Sequence, residues 1–197
     1  MTLSKSKKKI CVITGSRAEY GILKNLIFEI KKSKKLKLQL LATGMHLSAR
    51  HGLTYKEIIQ DGIKINKKIK ILSDSDTSKA ISNSISIGIK KFAQAYNLIK
   101  PDLVLILGDR FEIFSGAIAA MSARLPIGHI HGGETTEGAI DEAIRHSITK
   151  MSHLHFVAAG KYKNRVKQLG ESPDKIYLTG GLGVDTINKT NFLKKKY

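Results

Sequence analysis

Asp102-Leu103-Val104-Leu105-Ile106-Leu107, residues 102–107, is the stretch on which the fold turns. Five apolar residues in succession, behind Pro101 and ahead of Gly108-Asp109-Arg110, leave no polar face. They read as a strand buried on both sides, which belongs in a parallel sheet covered by helices. On its amino side, Ile81, Ile85, Gly88, Phe92, Tyr96 and Ile99 recur on one face of a predicted helix over 77–99, which Pro101 ends. On its carboxyl side a small-residue helix is predicted over 111–124, then a strand over 126–131.

The alternation continues in both directions. Towards the start, strands are predicted at 9–14, 36–43 and 63–72, with helices at about 21–32 and 54–60. Towards the end, helices at 140–152 and 161–169 alternate with strands at 154–159 and 175–179, and a last helix begins near Val184. Strand and helix in strict turn mean an open parallel α/β sheet with helices on both faces. In such sheets the ligand lies beyond the carboxyl ends of the strands. That rule selects residues 15–21, 44–52, 108–112, 131–141 and 180–185, and the unusual polar residues fall in these windows.

The bulk properties narrow the class further. The 197 residues suit one sizeable domain, and 42% apolar with 25% charged residues is a globular composition. No apolar run reaches the roughly 18–20 residues that span a bilayer. The lysine-rich start precedes an apolar stretch too short for a signal peptide, and the single cysteine, Cys11, lies in the first strand. These features point to the cytoplasm. A formal net charge of +18 raises nucleic acid or an acidic membrane as partners. Twenty-eight of the 34 basic residues are lysines spread along the chain, without an aromatic platform, a helix-turn-helix or a basic amphipathic helix. Neither nucleic acid nor membrane is therefore expected as a partner. Four of the six arginines, Arg17, Arg50, Arg110 and Arg145, stand in or beside glycine- and histidine-rich motifs. A guanidinium's planar fork suits phosphate or carboxylate.

Gly15-Ser16-Arg17-Ala18-Glu19-Tyr20-Gly21 follows the first strand. It is either an anion-binding turn at a helix start, with Arg17 as clamp, or an ordinary tight turn. It lacks the G-x-G-x-x-G spacing of dinucleotide sites. In Gly108-Asp109-Arg110-Phe111-Glu112, Asp109 suits a helix cap or a rigidly held general base. Gly128-His129-Ile130-His131-Gly132-Gly133-Glu134 puts His129 and His131 on one face of a strand. His153 and His155 repeat the spacing. The two pairs are expected at opposite edges of the sheet, which argues against a shared metal and for structural roles of the second pair. On the helix from Ile140, Asp141 and Arg145 are spaced i,i+4, as are Glu142 and His146. Beside His131 and Glu134, Asp141 makes an acid/base cluster plausible.

Together GSRAEYG, GDRFE, GHIHGGE, IDEAIRHSITKMSHLHF and TGGLGVD, in this order over about residues 8–190, resemble the hydrolysing UDP-N-acetylglucosamine 2-epimerases, in the branch of sialic- and legionaminic-acid pathways that supply capsule sugars. The resemblance implies one half of a two-domain, glycosyltransferase-B-like fold. Residues 1–183 would form the Rossmann-like domain, and 184–197 the start of a connection to a C-terminal nucleotide-binding domain. It implies conversion of UDP-N-acetylglucosamine and water to N-acetylmannosamine and UDP, by elimination to a glycal and hydration, with no metal or redox cofactor. Asp109 then matches the family's catalytic aspartate, and Asp141 the acidic residue opening the next motif's helix. Arg17 matches the arginine placed near diphosphate or sugar, while Arg145 and His146 support the site. Gly15, His46 and Arg110 are the further substrate-binding candidates. Several family members carry glutamate where this chain has His131, and the loop to Asp141 is one residue longer here. The second acid/base is therefore His131 or Glu134, and a UDP-2,4-diacetamido-trideoxyhexose becomes an alternative substrate. Family members are about twice this length, so a separate C-terminal chain and, once complete, a homo-oligomer are expected partners. A glycosyltransferase-like half and an inactive UDP-sugar-binding remnant are the competing readings.

Overall fold

A computed structural model describes residues 6–73, 75–136 and 140–188. Its strands are β1 (Lys8–Thr14), β2 (Leu36–Thr43), β3 (Lys67–Ile69), β4 (Leu103–Leu107), β5 (Ile127–Ile130), β6 (Leu154–Val157) and β7 (Ile176–Leu178). Between and after them run α1 (Arg17–Lys32), α2 (Tyr55–Gln60), α3 (Ser78–Ile99), α4 (Phe111–Ser122), α5 (Ile140–Met151), α6 (Gly160–Gln168) and α7 (Leu182–Asn188). All strand pairings are parallel, in the order β3-β2-β1-β4-β5-β6-β7. The chain steps outward from β1 to β3, returns to the far side of β1 with β4, and steps outward again to β7. This reversal between β1 and β4 makes the loops above them diverge, which opens a crevice at the carboxyl ends of the strands.

Alternation along each strand divides the core between the two faces. Cys11 and Ile13 of β1, Leu41 of β2 and Val104 and Ile106 of β4 pack with Phe92 and Tyr96 of α3, Ala117 of α4 and Ile148 of α5. Val12, Leu40, Leu105 and Leu107 face the other way, against Leu23 and Ile27 of α1 and Ile58 of α2. β4 supplies buried residues to both layers, as its uninterrupted apolar sequence requires. None of the described helices is long and apolar enough to cross a membrane.

Three local expectations need correction. α1 begins at Arg17 rather than near Gly21, because Ser16 caps it: its Oγ accepts from Glu19 N at 3.3 Å. The strand predicted over 63–72 pairs only at Lys67–Ile69. Its alternation records the burial of Ile63, Ile69 and Ile71 along an extended edge segment, not a long ladder. β5 stops at Ile130, and His131 turns to φ +63, so His129 and His131 do not share a strand face. Of the expected connecting segment 184–197, only 184–188 is described, inside α7; residues 189–197 lie outside the described residues.

Candidate functional site

At the switch point the turn after β1 meets the turn after β4. Gly15 N donates to Glu19 Oε2 at 2.6 Å, so the N–H expected to attract a ligand anion is held by a carboxylate of the chain. Glu19 Oε1 lies 3.9 Å from Arg110 Nε, and Arg110 donates twice to Glu112, at 3.2 and 3.3 Å. The side chain of Glu112 is fully buried. Gly44, after β2, closes this floor: at φ +55, a side chain there would stand 2.8 Å from both Glu112 Oε1 and Gly15 O. Burial pushes the Glu19 carboxyl up to about 7; the Gly15 N–H opposes this and the Glu112 charge adds to it.

The second group gathers around Arg145, whose side chain is 8% exposed. Its Nη2 makes a short contact with Asp109 Oδ2 and donates to Thr136 Oγ1 at 3.1 Å. Its Nη1 donates to His131 O at 2.9 Å and lies 3.9 Å from Glu134 Oε2. Thr136 Oγ1 also donates to Asp109 Oδ2, at 3.2 Å. His131 Nδ1 is 3.3 Å from Glu134 Oε1, while its Nε2 is buried without a hydrogen bond among the described residues. Burial lowers the His131 pKa, against the pull of Glu134. One guanidinium thus holds a strand-end carboxylate beside an imidazole–carboxylate pair. Such a set can take a proton at one point and exchange another nearby.

Of the catalytic candidates, Asp109, His131 and Glu134 come together and Asp141 does not join them. The expected Asp141–Arg145 pair is absent, because Arg145 turns inward to Asp109 under the His131 turn. Asp141 is half-buried and acts on Arg110 instead, where it helps Glu112 and Glu19 hold the guanidinium charged against the cost of burial. The other pair forms: His146 Nε2 is 3.0 Å from Glu142 Oε1, whose Oε2 accepts from Thr136 N at 2.8 Å.

The remaining substrate candidates divide. Arg17 is 74% exposed and pairs with Glu57 of α2 at 3.1 Å, on the rim of the crevice. His46 is fully buried, with Nε2 3.0 Å from Thr14 Oγ1 and Nδ1 2.8 Å from Thr54 Oγ1. It braces the floor, and burial lowers its pKa to about 4. His129 is a prop as well, donating from Nε2 to Gly108 O at 2.8 Å directly before Asp109. The histidine pairs are not at opposite edges, since His129 and His155 are register partners across β5 and β6. In that register Ile130, the last residue of β5, lies level with Phe156 of β6, so the two short strands run side by side and their histidines are neighbours. His155 Nε2 turns to Glu171 at 3.1 Å. Among the described residues no three His, Cys, Asp or Glu side chains gather as a metal ligand set.

Sequence reading gave no site role to Glu19, Glu112 or Thr136 and placed Glu142 only as the helical partner of His146. Glu19, Glu112 and Glu142 lie within motifs quoted for other residues, and Thr136 lies between two of them. For Glu19 the Ser16-Arg17-Ala18-Glu19 capping-box pattern was a visible signal; for Thr136 there was none.

Gly133 sets the aim of Glu134. It has φ +77, and a Cβ there would lie 2.6 Å from Tyr162 O and 2.8 Å from Val166 Cγ2 of α6. Gly133→Ala is expected to destabilise the chain by about 2–3 kcal/mol, combining left-handed backbone strain with overpacking. Urea unfolding measures this; a loss under about 0.5 kcal/mol would mean that α6 yields freely.

The family profile described as UDP-N-acetylglucosamine 2-epimerase matches residues 28–197. The chain is 48% identical over 191 residues to the GDP/UDP-N,N'-diacetylbacillosamine 2-epimerase (hydrolyzing) of Campylobacter jejuni, covering 97% of this chain and 50% of that protein. It is 44% identical to polysialic acid biosynthesis protein P7 of Escherichia coli, covering 90% and 46%. The fold is shared with the crystal structure of the Neisseria meningitidis UDP-GlcNAc 2-epimerase bound to UDP-GlcNAc, with TM-score 0.81 and 23% identity over 91% of this chain and 48% of that one. The chain spans about half the length of the curated relatives it matches.

Proposed function

Because the chain belongs to the UDP-N-acetylglucosamine 2-epimerase family, we propose that it forms the sugar-handling half of a hydrolysing UDP-sugar 2-epimerase. The observation that carries this reading is the placement of Asp109 beside the His131–Glu134 pair, all three held by Arg145 at the carboxyl ends of β4 and β5. Both contacts of Asp109 fall on Oδ2; Oδ1 makes none among the described residues.

In the proposed reaction Asp109 takes the proton from C2 of the sugar while the bond from C1 to the UDP oxygen breaks, giving a glycal and UDP. Water then adds, with hydroxyl to C1 and a proton to the opposite face of C2. The proton for that face comes from His131 Nε2, with Glu134 stabilising the charged imidazole. The proton that water gives up restores the imidazolium, and Asp109 loses its proton to solvent. Atoms balance as UDP-sugar plus water to the free 2-epimeric sugar plus UDP. Arg110, Arg17 and Arg50 supply positive charge on this side of the crevice, and a C-terminal half supplies the remaining uridine and diphosphate contacts. The first substrate considered is UDP-N-acetylglucosamine. The name of the 48% identical relative favours a second, UDP-N,N'-diacetylbacillosamine, a 2,4-diacetamido-trideoxyhexose. The E. coli relative's name, a polysialic acid biosynthesis protein, supports a place in the synthesis of a sialic-type nonulosonic acid.

The test is release of UDP and free 2-epimeric sugar from each substrate, by the chain alone and with a C-terminal half, using Asp109→Asn as control. Asp109-dependent product from the pair and little from the chain alone is the expected result. Robust turnover by the chain alone would remove the need for a second half. No product from either substrate with either preparation would sink the epimerase reading.

A further inference from the structure

Glu19 has an uncommon position for an acidic residue in a site that must receive an anion. Its Oε2 is satisfied by Gly15 N at 2.6 Å, but Oε1 is buried without a hydrogen bond among the described residues. The charged groups that face it are Glu112 from α4 and Arg110 from the turn before it; its own turn contributes the backbone N–H groups of Gly15 and Ser16. Arg110 is already engaged by Glu112, and Asp141 of α5 acts on the same guanidinium. Three carboxylates therefore bear on one cation, with Arg17 drawn away to Glu57. Arg110 is 34% exposed and lines, with Arg50, His51, Met45 and Ser48, a cavity of about 280 Å³.

We propose that Glu19 is a positioning residue that takes up a proton when an anionic group of the ligand settles beside Arg110, so that ligand binding and Glu19 protonation are one coupled event. The ionised carboxylate competes with the ligand for Arg110. The protonated form keeps Gly15 in place through Oε2 while withdrawing that competition. Linkage makes the coupling reciprocal: if the ligand raises the affinity of Glu19 for a proton, the proton raises the affinity for the ligand by the same factor. With the free carboxyl near 7, the switch works at neutral pH. The proposal rests on the reading above only in taking the ligand to be an anionic UDP-sugar.

The experiment is calorimetric titration of the full chain, with its C-terminal half where that is needed for binding, with UDP-N-acetylglucosamine at pH 7.5 in two buffers of different ionisation enthalpy. Wild type is expected to take up roughly 0.7 proton per ligand, and its affinity to fall up to about tenfold per pH unit above 7. Glu19→Gln, whose amide oxygen can still accept from Gly15, is expected to take up none and to bind with little pH dependence. Absence of uptake in wild type, or undiminished uptake in Glu19→Gln, overturns the proposal.

Urea midpoints of both proteins without ligand give an independent reading. The folded carboxyl titrates about 7, above its ordinary 4.5, so its contribution is fully present below 4.5 and lost as pH rises through 7. Glu19→Gln should therefore gain on wild type between pH 5 and 8; a difference flat in pH overturns the proposal. Absence of any heat with UDP-N-acetylglucosamine counts against the functional reading for that sugar, and the midpoint series then decides on Glu19 alone.

Discussion

Replacing Arg145 with methionine is expected to destabilise the chain by about 3–5 kcal/mol, the cost of leaving partly buried carboxylates without their cation. The side chains of Asp109 and Glu134 are 16% and 24% exposed, and both face this guanidinium. Its Nη1 bond to His131 O also fixes a residue with φ +63, in a left-handed turn that a non-glycine residue seldom adopts unsupported. Methionine fills much of the volume, so the loss reports charge and hydrogen bonds more than a cavity. For a chain of this size it corresponds to a fall in melting temperature on the order of 10 °C. Arg145→Lys should recover part of it, since an ammonium restores the charge but not the fork that serves Asp109, Thr136 and the His131 carbonyl together. A double-mutant cycle with Asp109→Asn should give a coupling above about 1 kcal/mol. Thermal and urea unfolding that changed by less than about 1 kcal/mol in Arg145→Met would show that these carboxylates are solvated without it.

Asp109→Asn is expected to lower turnover by about 10²–10⁴-fold in the complete enzyme, the usual range for loss of a general base. The amide oxygen can still accept from Arg145 and Thr136, so stability should fall by no more than about 1–2 kcal/mol. The Michaelis constant should change little, because in the proposed reaction the lost group acts on the C2 proton in the transition state rather than on the bound sugar. Steady-state assay of UDP release, with unfolding midpoints as control, separates these effects. Turnover within tenfold of wild type would move the base to the His131–Glu134 pair.

The elements were legible where one period dominates the residues. Leu36–Thr43 was read as a strand and is β2 over that span; the helix read over 77–99 is α3, Ser78–Ile99, with Thr77 as its cap. The reading failed where a local signal was passed over or a tertiary contact decided. At α1, the Ser16 cap moves the start four residues earlier than the apolar spacing suggested. Alternation over 63–72 suggested a long strand, yet an edge segment can bury alternate residues while pairing with β2 at only three positions. His131 stood in the pattern of a strand residue, and the turn that removes it from β5 follows from Arg145 binding its carbonyl, a contact fourteen positions distant.

Several site residues were likewise identified for sound reasons but with the wrong companions. Asp141 and Arg145 have ideal helical spacing, and spacing alone cannot weigh a surface ion pair against a buried one. Arg145 goes to Asp109, whose carboxylate is largely buried at a strand end, whereas the half-buried Asp141 stands in the first turn of α5, where the backbone N–H groups already favour a negative charge. His46 stood in a ligand-facing loop by the strand-end rule, yet its ring fills the space between Thr14 and Thr54.

Periodicity and turn chemistry, which act over a few residues, specify the kinds and order of the elements, the parallel sheet, and the windows at the carboxyl ends of the strands. That β4 lies beside β1, so that the switch point joins Gly15, Glu19, Arg110 and Glu112, is settled in three dimensions. The same holds for the gathering of Asp109, Thr136, His131 and Glu134 around one arginine. Partners so distant along the chain are chosen by strand order and by the cost of burying unpaired charge, and neither is written in any local run of residues.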